Sequence, residues 1–292
     1  MKDMKVLLTG ASGFIGQALA AGLDHCIVPM HMRDADLRDP AAVSAFVEKV
    51  RPDAVIHLAA KTEVAWSFDD YADVSHVNYV GTVNLAEAVC RHVPDAHFVF
   101  ASTMETYGRH PEPWAPFTED TPQNPCAPYA VAKVAAEKYL AYLTEVHGLD
   151  VTILRQTNTY GRRDNDFFVV ERTVTQMLRS SICRLGAAEP IRNFLWIDDL
   201  VDLYQTVIGN PAAVGQTFVT GPDNAVTIAE LAALVAKKTG FKGRIEWGTQ
   251  PPRPGEVWYL NSDPAKARDV LGWVPTVDLD DGLDRTIAIW SG

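Results

Sequence analysis

Short apolar runs of β type alternate with longer helical patterns through the first half of this chain, and that alternation leaves few folds open. Lys5-Val6-Leu7-Leu8 is strand-like and leads into a helical pattern from Phe14 to about Leu23. Cys26-Ile27-Val28 reads as the next strand, which Pro29 is expected to end or distort because it has no N–H to donate. A helix from Pro40 to Val50, a strand from Ala54 to Leu58, a helix from about Val77 to Val93 and a strand from His97 to Phe100 follow. A helix over Ala127–His147, stopped by Gly148, precedes the strand Val151–Leu154. Strands joined through helices need right-handed crossovers, and these produce a parallel sheet covered on both faces.

The second half is less regular. A helix near Asp198–Ile208 and the strand Phe218-Val219-Thr220 are expected to return to the sheet. Thr227 and Glu230 have the spacing of a capping box, opening a helix that Gly240 closes. Gln250 to Glu256 is a Pro- and Gly-rich surface loop, and Leu271 to Pro275 a turn. The 292 residues suggest about two domains at roughly 150 residues each. Twenty-six Lys and Arg against 37 Asp and Glu give a net charge of −11, which argues against a nucleic-acid or anionic-membrane partner. No apolar run approaches the roughly 18 residues of a membrane span. Met1-Lys2-Asp3-Met4-Lys5 enters the first strand without a signal-peptide core, so a soluble cytoplasmic protein is expected. Cys26, Cys90, Cys126 and Cys183 lie far apart, and His25, His76, His92, His97, His110 and His147 show no ligand spacing, so no metal centre is indicated. Trp114, Trp196, Trp258 and Trp273 are expected to pack the second half.

Chemistry enters at the first strand-to-helix junction, Thr9-Gly10-Ala11-Ser12-Gly13-Phe14-Ile15-Gly16. Glycines three apart let the backbone turn tightly, approach a pyrophosphate and seat the helix on the strand. Gly10, Ser12, Gly13, Phe14, Ile15 and Gly16 are therefore expected to bind a dinucleotide. The expected class is α/β, a Rossmann-type doubly wound parallel sheet with a smaller C-terminal α/β substrate lobe. Residues 1–161 with return segments about 196–221 would form the dinucleotide domain, and 162–195 with 222–292 the lobe. A second motif, Tyr129-Ala130-Val131-Ala132-Lys133, puts a phenol and an ammonium one helical turn apart. An ammonium there would lower the phenol pKa and let Tyr129 pass a proton at neutral pH.

Together these motifs resemble the extended short-chain dehydrogenase/reductase family, and the resemblance covers nearly the whole chain. Ala101-Ser102-Thr103-Met104-Glu105-Thr106-Tyr107-Gly108 is similar to the family segment that sets a hydroxyl, here Thr103, against the substrate carbonyl. The resemblance also assigns Leu58, Ala59, Ala60, Asn78, Tyr129 and Lys133 to the cofactor. Leu154-Arg155-Gln156-Thr157-Asn158-Thr159-Tyr160-Gly161, Arg192–Leu200 and Arg253-Pro254-Gly255-Glu256 resemble the nucleotide-sugar epimerase/dehydratase branch, with Asn193 in place of the usual acid. By that likeness Asn158, Arg192 and Arg253 meet the substrate near its diphosphate, alongside Thr103, Met104 and Glu105. A homodimer through the helices around Val77–Val93 and Ala127–His147 is implied as well.

For the cofactor, aligning strand ends places His31 where NAD-binding relatives carry a ribose-binding acid, with Arg33 two residues on. This resembles the NADP-dependent GDP-sugar reductases, so NADP(H) is expected, with NAD the alternative if Asp34 is the ribose acid. Asp36-Leu37 resembles the pair beside the adenine. For the reaction, the resemblance implies reduction of the 4-keto group of a nucleotide-linked 4-keto-6-deoxyhexose, with Thr103, Tyr129, Lys133 and Glu105 as the catalytic set. The alternative is an NAD-retaining 4-epimerase or 4,6-dehydratase using Glu105 as acid or base. Met104 counts against elimination, because many dehydratases carry there an Asp that protonates the leaving hydroxyl. A non-catalytic dinucleotide sensor is the remote reading, and the Tyr129–Lys133 pair argues against it.

Overall fold

The computed structural model describes residues 4–110 and 116–292. Strands Lys5–Thr9 (β1), Cys26–Met30 (β2), Ala54–His57 (β3), His97–Thr103 (β4) and Val151–Gln156 (β5) alternate with helices. The helices are Phe14–Gly22 (α1), Pro40–Val50 (α2), Tyr71–Ser75 (α3), Gly81–His92 (α4) and Pro128–His147 (α5). Beyond them come Asn158–Tyr160 (β6), Val169–Arg179 (α6), Ile182–Arg184 (β7), Ile191–Arg192 (β8) and Phe194–Trp196 (β9). Ile197–Val207 (α7), Thr217–Thr220 (β10) and Ile228–Thr239 (α8) follow.

Six strands form one parallel sheet in the order β10-β5-β4-β3-β1-β2. Strand order reverses beside β1, and in such sheets ligands bind at the carboxyl ends of the strands flanking the reversal. Alternate residues serve opposite faces. Leu7, Phe98 and Phe100 pack on Val43, Val89 and Leu140 from α2, α4 and α5. Val6, Leu8 and Val99 pack on Leu19, Leu200 and Tyr204 from α1 and α7. A third core, built on Val174, Met177, Leu231 and Val235, belongs to the smaller lobe.

Three local expectations need correction. Pro29 does not end β2, which runs on to Met30; β2 is an edge strand paired only with β1, so the missing N–H breaks no ladder on its outer side. The helix expected from Val77 starts earlier and passes through a π-helical turn at His76–Val80 before α4. That turn buries Asn78, whose amide bridges the backbone of Lys61, accepting from its N–H at 2.7 Å and donating to its carbonyl at 2.9 Å. Trp273 packs under the main sheet instead of in the lobe, and Trp258 stays partly exposed; Trp196 does join the lobe core. Trp114 lies outside the described residues.

Pro128 in the first turn opens α5, and Gly148 closes it with φ +71°. The Thr227–Glu230 capping box forms with both of its hydrogen bonds. All four cysteines are free. Among the described residues no helix is long and apolar enough to cross a membrane.

Candidate active site

The loop after β1 and the strand ends beside it open onto a cleft of about 950 Å3, at the large end of small-molecule sites. Gly10 has φ +72°, and a Cβ there would lie 2.8 Å from the Ala59 nitrogen. A Cβ on Gly16 would stand 2.1 Å from the Gly10 carbonyl oxygen. The head of α1 has no side-chain cap and no acid in its first turn, so its N–H groups are left to an anion. This cradle fits a dinucleotide pyrophosphate. Gly16→Ala is expected to abolish dinucleotide binding and lower the melting temperature by several degrees, read by calorimetry and thermal denaturation, because the obstruction is backbone and cannot rotate away.

Beneath the loop runs a buried chain of hydrogen bonds. Ala59 N–H donates to Thr9 Oγ1 at 3.1 Å, and Thr9 Oγ1 lies 2.7 Å from His57 Nδ1. His57 Nε2 lies 2.9 Å from Thr82 Oγ1, whose own proton goes to the Asn78 carbonyl at 2.8 Å. Thr82 must therefore accept from Nε2–H, leaving Nδ1 to accept from Thr9, so only one neutral tautomer satisfies the chain. Asn78 does not line the cleft; its side chain holds Lys61 and its carbonyl ends this relay.

At the adenosine end, the side chain expected to meet a 2′-phosphate is displaced. Arg33 is 82% exposed, lies 4.0 Å from Asp34 and does not line the cleft. Asp34 does not line it either, because its carboxylate accepts the His31 N–H at 3.0 Å in a local turn. Met30, His31 and Met32 face the cleft there, together with Asp36, Leu37 and Arg38. Asp36 is held below the usual carboxylate range by hydrogen bonds from Arg38, which engages both of its oxygens. Arg38 also reaches Asp73, which Lys61 contacts from the other side.

At the centre of the cleft stand Thr103, Tyr129, Lys133 and Glu105. Thr103 ends β4, and its hydroxyl accepts the Glu105 N–H at 3.2 Å. Tyr129 and Lys133 share the first turns of α5 and are both buried. Lys133 Nζ donates to the Ala101 carbonyl at 2.6 Å and stands 4.5 Å above the Phe100 ring. Burial pulls its pKa down to about 7, with the Glu137 charge working the other way. The sequence led to an expected lowering of the Tyr129 pKa, and the structure reverses it. Burial pushes the phenol well above its ordinary range, a hydrogen bond from Thr103 only partly offsets this, and the Glu105 charge adds to it. With burial dominant, the phenol keeps its proton at neutral pH, and Lys133 Nζ is engaged by the main chain.

Met104 turns away from the cleft into a core with Tyr107 and Phe117. Glu105 faces it, 3.9 Å from the Arg253 guanidinium, which pairs more closely with Glu256 at 2.9 Å. Asn158 lines the cleft, and so does Arg192, which donates to the Ile191 and Val257 carbonyls. Asn193 explains its own departure from the usual acid. Its amide donates to the Pro222 and Asn224 carbonyls and accepts the Ser262 N–H, and a carboxylate has no proton for those two carbonyls. Behind Lys133, Arg155 and Glu137 form a buried pair at 2.8 Å, completed by Ser102 and Gln123. Sequence reasoning missed Arg38, Lys61, Arg162 and Arg172 on the cleft wall. Asp36-x-Arg38 was a local signal for the first; the others reach the cleft only through the fold.

The family model described as GDP-mannose 4,6 dehydratase matches residues 23–286. A UDP-glucose 4-epimerase of Mycolicibacterium smegmatis is 32% identical over 97% of both chains. A GDP-6-deoxy-D-mannose reductase of Pseudomonas aeruginosa is 27% identical over 98% of this chain and 97% of its own. The crystal structure of a UDP-glucose 4-epimerase of Thermotoga maritima with UDP-glucose superposes with a TM-score of 0.90 at 27% identity, covering 98% of each chain. Other solved structures of this kind hold NADPH or NAD.

Proposed function

The chain belongs to the nucleotide-sugar epimerase/dehydratase branch of the extended short-chain dehydrogenases/reductases, and we propose that it is an NADPH-dependent reductase of the 4-keto group of a nucleotide-linked 4-keto-6-deoxyhexose. The observation that carries this reading is the charge at the end of β2. Among the described residues, Met30, His31 and Met32 offer the cleft no carboxylate there, Asp34 is turned onto the His31 N–H, and the first acid after β2 that lines the cleft, Asp36, has both oxygens committed to Arg38. A retained NAD would lack its ribose anchor, whereas a dinucleotide with a 2′-phosphate would not meet a competing anion.

The dinucleotide, when bound, supplies the hydride. Tyr129 gives its retained proton to the developing alkoxide, and Thr103 donates a hydrogen bond to the same oxygen. Lys133 holds positive charge beside the phenolate left behind. Glu105, facing Arg253, orients substrate hydroxyls, and Asn158, Arg192 and Arg253 take the nucleotide-sugar side, where guanidinium forks suit diphosphate oxygens. With Met104 buried away from the cleft, position 104 offers no acid for elimination.

A second reading, the retaining 4-epimerase, is favoured by the 32% identity with the epimerase against 27% with the reductase. Stoichiometry separates them. We expect one NADPH oxidised per sugar converted; product formed with no net change in cofactor would replace the reductase with the epimerase. Val131, Tyr142 and Val146 leave an apolar exposed face on α5, which supports a homodimer. Light scattering at micromolar concentration should give twice the chain mass, and a monomer would remove that part.

A further inference from the structure

One buried cation is used neither by the catalytic centre nor by the substrate arginines. Arg162 is 8% exposed and lines the cleft. Its guanidinium packs against two rings. Phe14, the first residue of α1, is 4.3 Å away, and Phe168, just before α6, is 3.8 Å away. Aromatic faces packed against a guanidinium hold its plane and leave the N–H bonds at its edge free to reach an acceptor. Among the described residues only Nη1 finds protein acceptors, the Thr159 carbonyl at 2.8 Å and Glu171 Oε1 at 3.6 Å. The second is too long for a good hydrogen bond, and that oxygen already accepts the Gly161 and Arg162 N–H groups at 2.9 and 3.0 Å. Nε and Nη2 are left without a protein partner in a site where burial holds the guanidinium below its usual range.

Neither nitrogen is sealed off, so an acceptor entering the cleft can reach both, and a guanidinium this far withdrawn from water favours an anion there. The stack also fixes where an acceptor must come from. Phe14 carries one of the free N–H groups that open α1, so the guanidinium and the helix head present their donors to the same part of the cleft. Two sources of positive potential a ring apart favour an anion with several oxygens.

We propose that Arg162 binds a diphosphate, that of the dinucleotide, shared between its guanidinium and the N–H groups at the head of α1. This rests on the dinucleotide-binding reading above. The nucleotide sugar carries the same chemical group, so the two sources must be told apart by experiment.

Calorimetric titration of the full-length protein provides the test. Wild type, R162A, R162Q and R162K are titrated with NADP+ and NAD+, and separately with UDP and GDP. Affinity for the tighter dinucleotide is expected to fall 30-fold or more in R162A and R162Q. R162K should recover under a third of the loss on a logarithmic scale, because an ammonium lacks the stacked plane. Affinity for the tighter nucleoside diphosphate should change less than threefold, and the R162A deficit should shrink in high salt as a lost charge contact requires. Unchanged dinucleotide affinity in R162A would overturn the proposal, and so would a loss confined to UDP or GDP. A deficit that ignores salt would mark Arg162 as a packing residue and overturn it as well. Should R162A and R162Q fail to fold, R162K decides alone: affinity within twofold of wild type overturns the proposal. If wild type binds neither dinucleotide, the underlying reading fails first and takes this one with it.

Discussion

Tyr129→Phe is expected to lower turnover by about 10^3-fold, inside the 10^2–10^4 range that general acid catalysis supplies, while dinucleotide affinity stays within about tenfold. The expectation follows from where the proton sits. Burial holds the phenol well above its ordinary range, so at neutral pH Tyr129 enters the reaction as a loaded acid. Phe fills the same buried volume and keeps the first turn of α5 intact, so the loss reports the hydroxyl and not the fold. Thr103 remains to polarise the carbonyl, which is why a residual rate should survive. Steady-state kinetics with a measured melting temperature check both halves. A variant that keeps more than a tenth of the wild-type rate would assign the proton elsewhere, with Glu105 the first candidate on the cleft wall.

The parts of the site that were legible in the sequence are those whose geometry is local. Gly10 and Gly16 face backbone atoms a few residues away or just past the end of β3, and nothing larger than hydrogen fits either position. Tyr129 and Lys133 sit one turn apart on a helix whose start Pro128 marks and whose end Gly148 marks. Alternation of strand and helix carried the sheet for the same reason: each strand answers to its own hydrophobic pattern. What could not be read depends on side-chain direction at irregular backbone. Arg33 and Arg38 are five residues apart in one turn-rich segment, and the turn closed by Asp34 on the His31 N–H leaves Arg38, not Arg33, on the cleft. Met104 follows Thr103 directly, yet the short helical turn at Met104–Thr106 swings it into a core with Phe117. The sequence did place a phenol one turn from an ammonium, but the sign of the phenol shift depended on burial and on the Glu105 charge, and neither is visible in a spacing. Arg162 needed the whole tertiary structure, because Phe14 and Phe168, far apart in sequence, reach its guanidinium only in the folded chain.

Acidification from pH 7 to pH 5 is expected to cost the folded state about 4 kcal/mol through two histidines alone, taken as an upper estimate for buried groups. Burial pulls His57 down to about 3, with the Lys133 charge adding to it, and pulls His97 down to about 4, with Asp150 opposing. Both are ordinarily near 6.5, so between that value and the folded one the unfolded chain binds the extra proton and stability falls with pH. Each ring contributes about 1.4 kcal/mol per pH unit across that window, and the window closes near pH 4 for His97 and near pH 3 for His57. Against a total of roughly 5–15 kcal/mol, this removes about a third or more of the stability by about pH 4.5. The two sites share one construction. His97 Nδ1 accepts the Gly209 N–H, and its Nε2 faces a Thr152 hydroxyl whose proton goes to the Ala213 carbonyl. His57 is held in the same way between Thr9 and Thr82. A second ring proton therefore meets a donor at either Nδ1, and at His57 it would turn the Thr9 hydroxyl that supports Ala59 under the glycine loop. Urea denaturation at pH 7, 6 and 5 measures the slope, and His97→Gln should reduce it by about half because an amide gives and accepts a hydrogen bond without titrating. Stability that is flat from pH 7 to pH 5 would mean that neither ring is held neutral. A loss that His97→Gln leaves unchanged would move the cause to the carboxylates, whose protonation should appear mainly below pH 5.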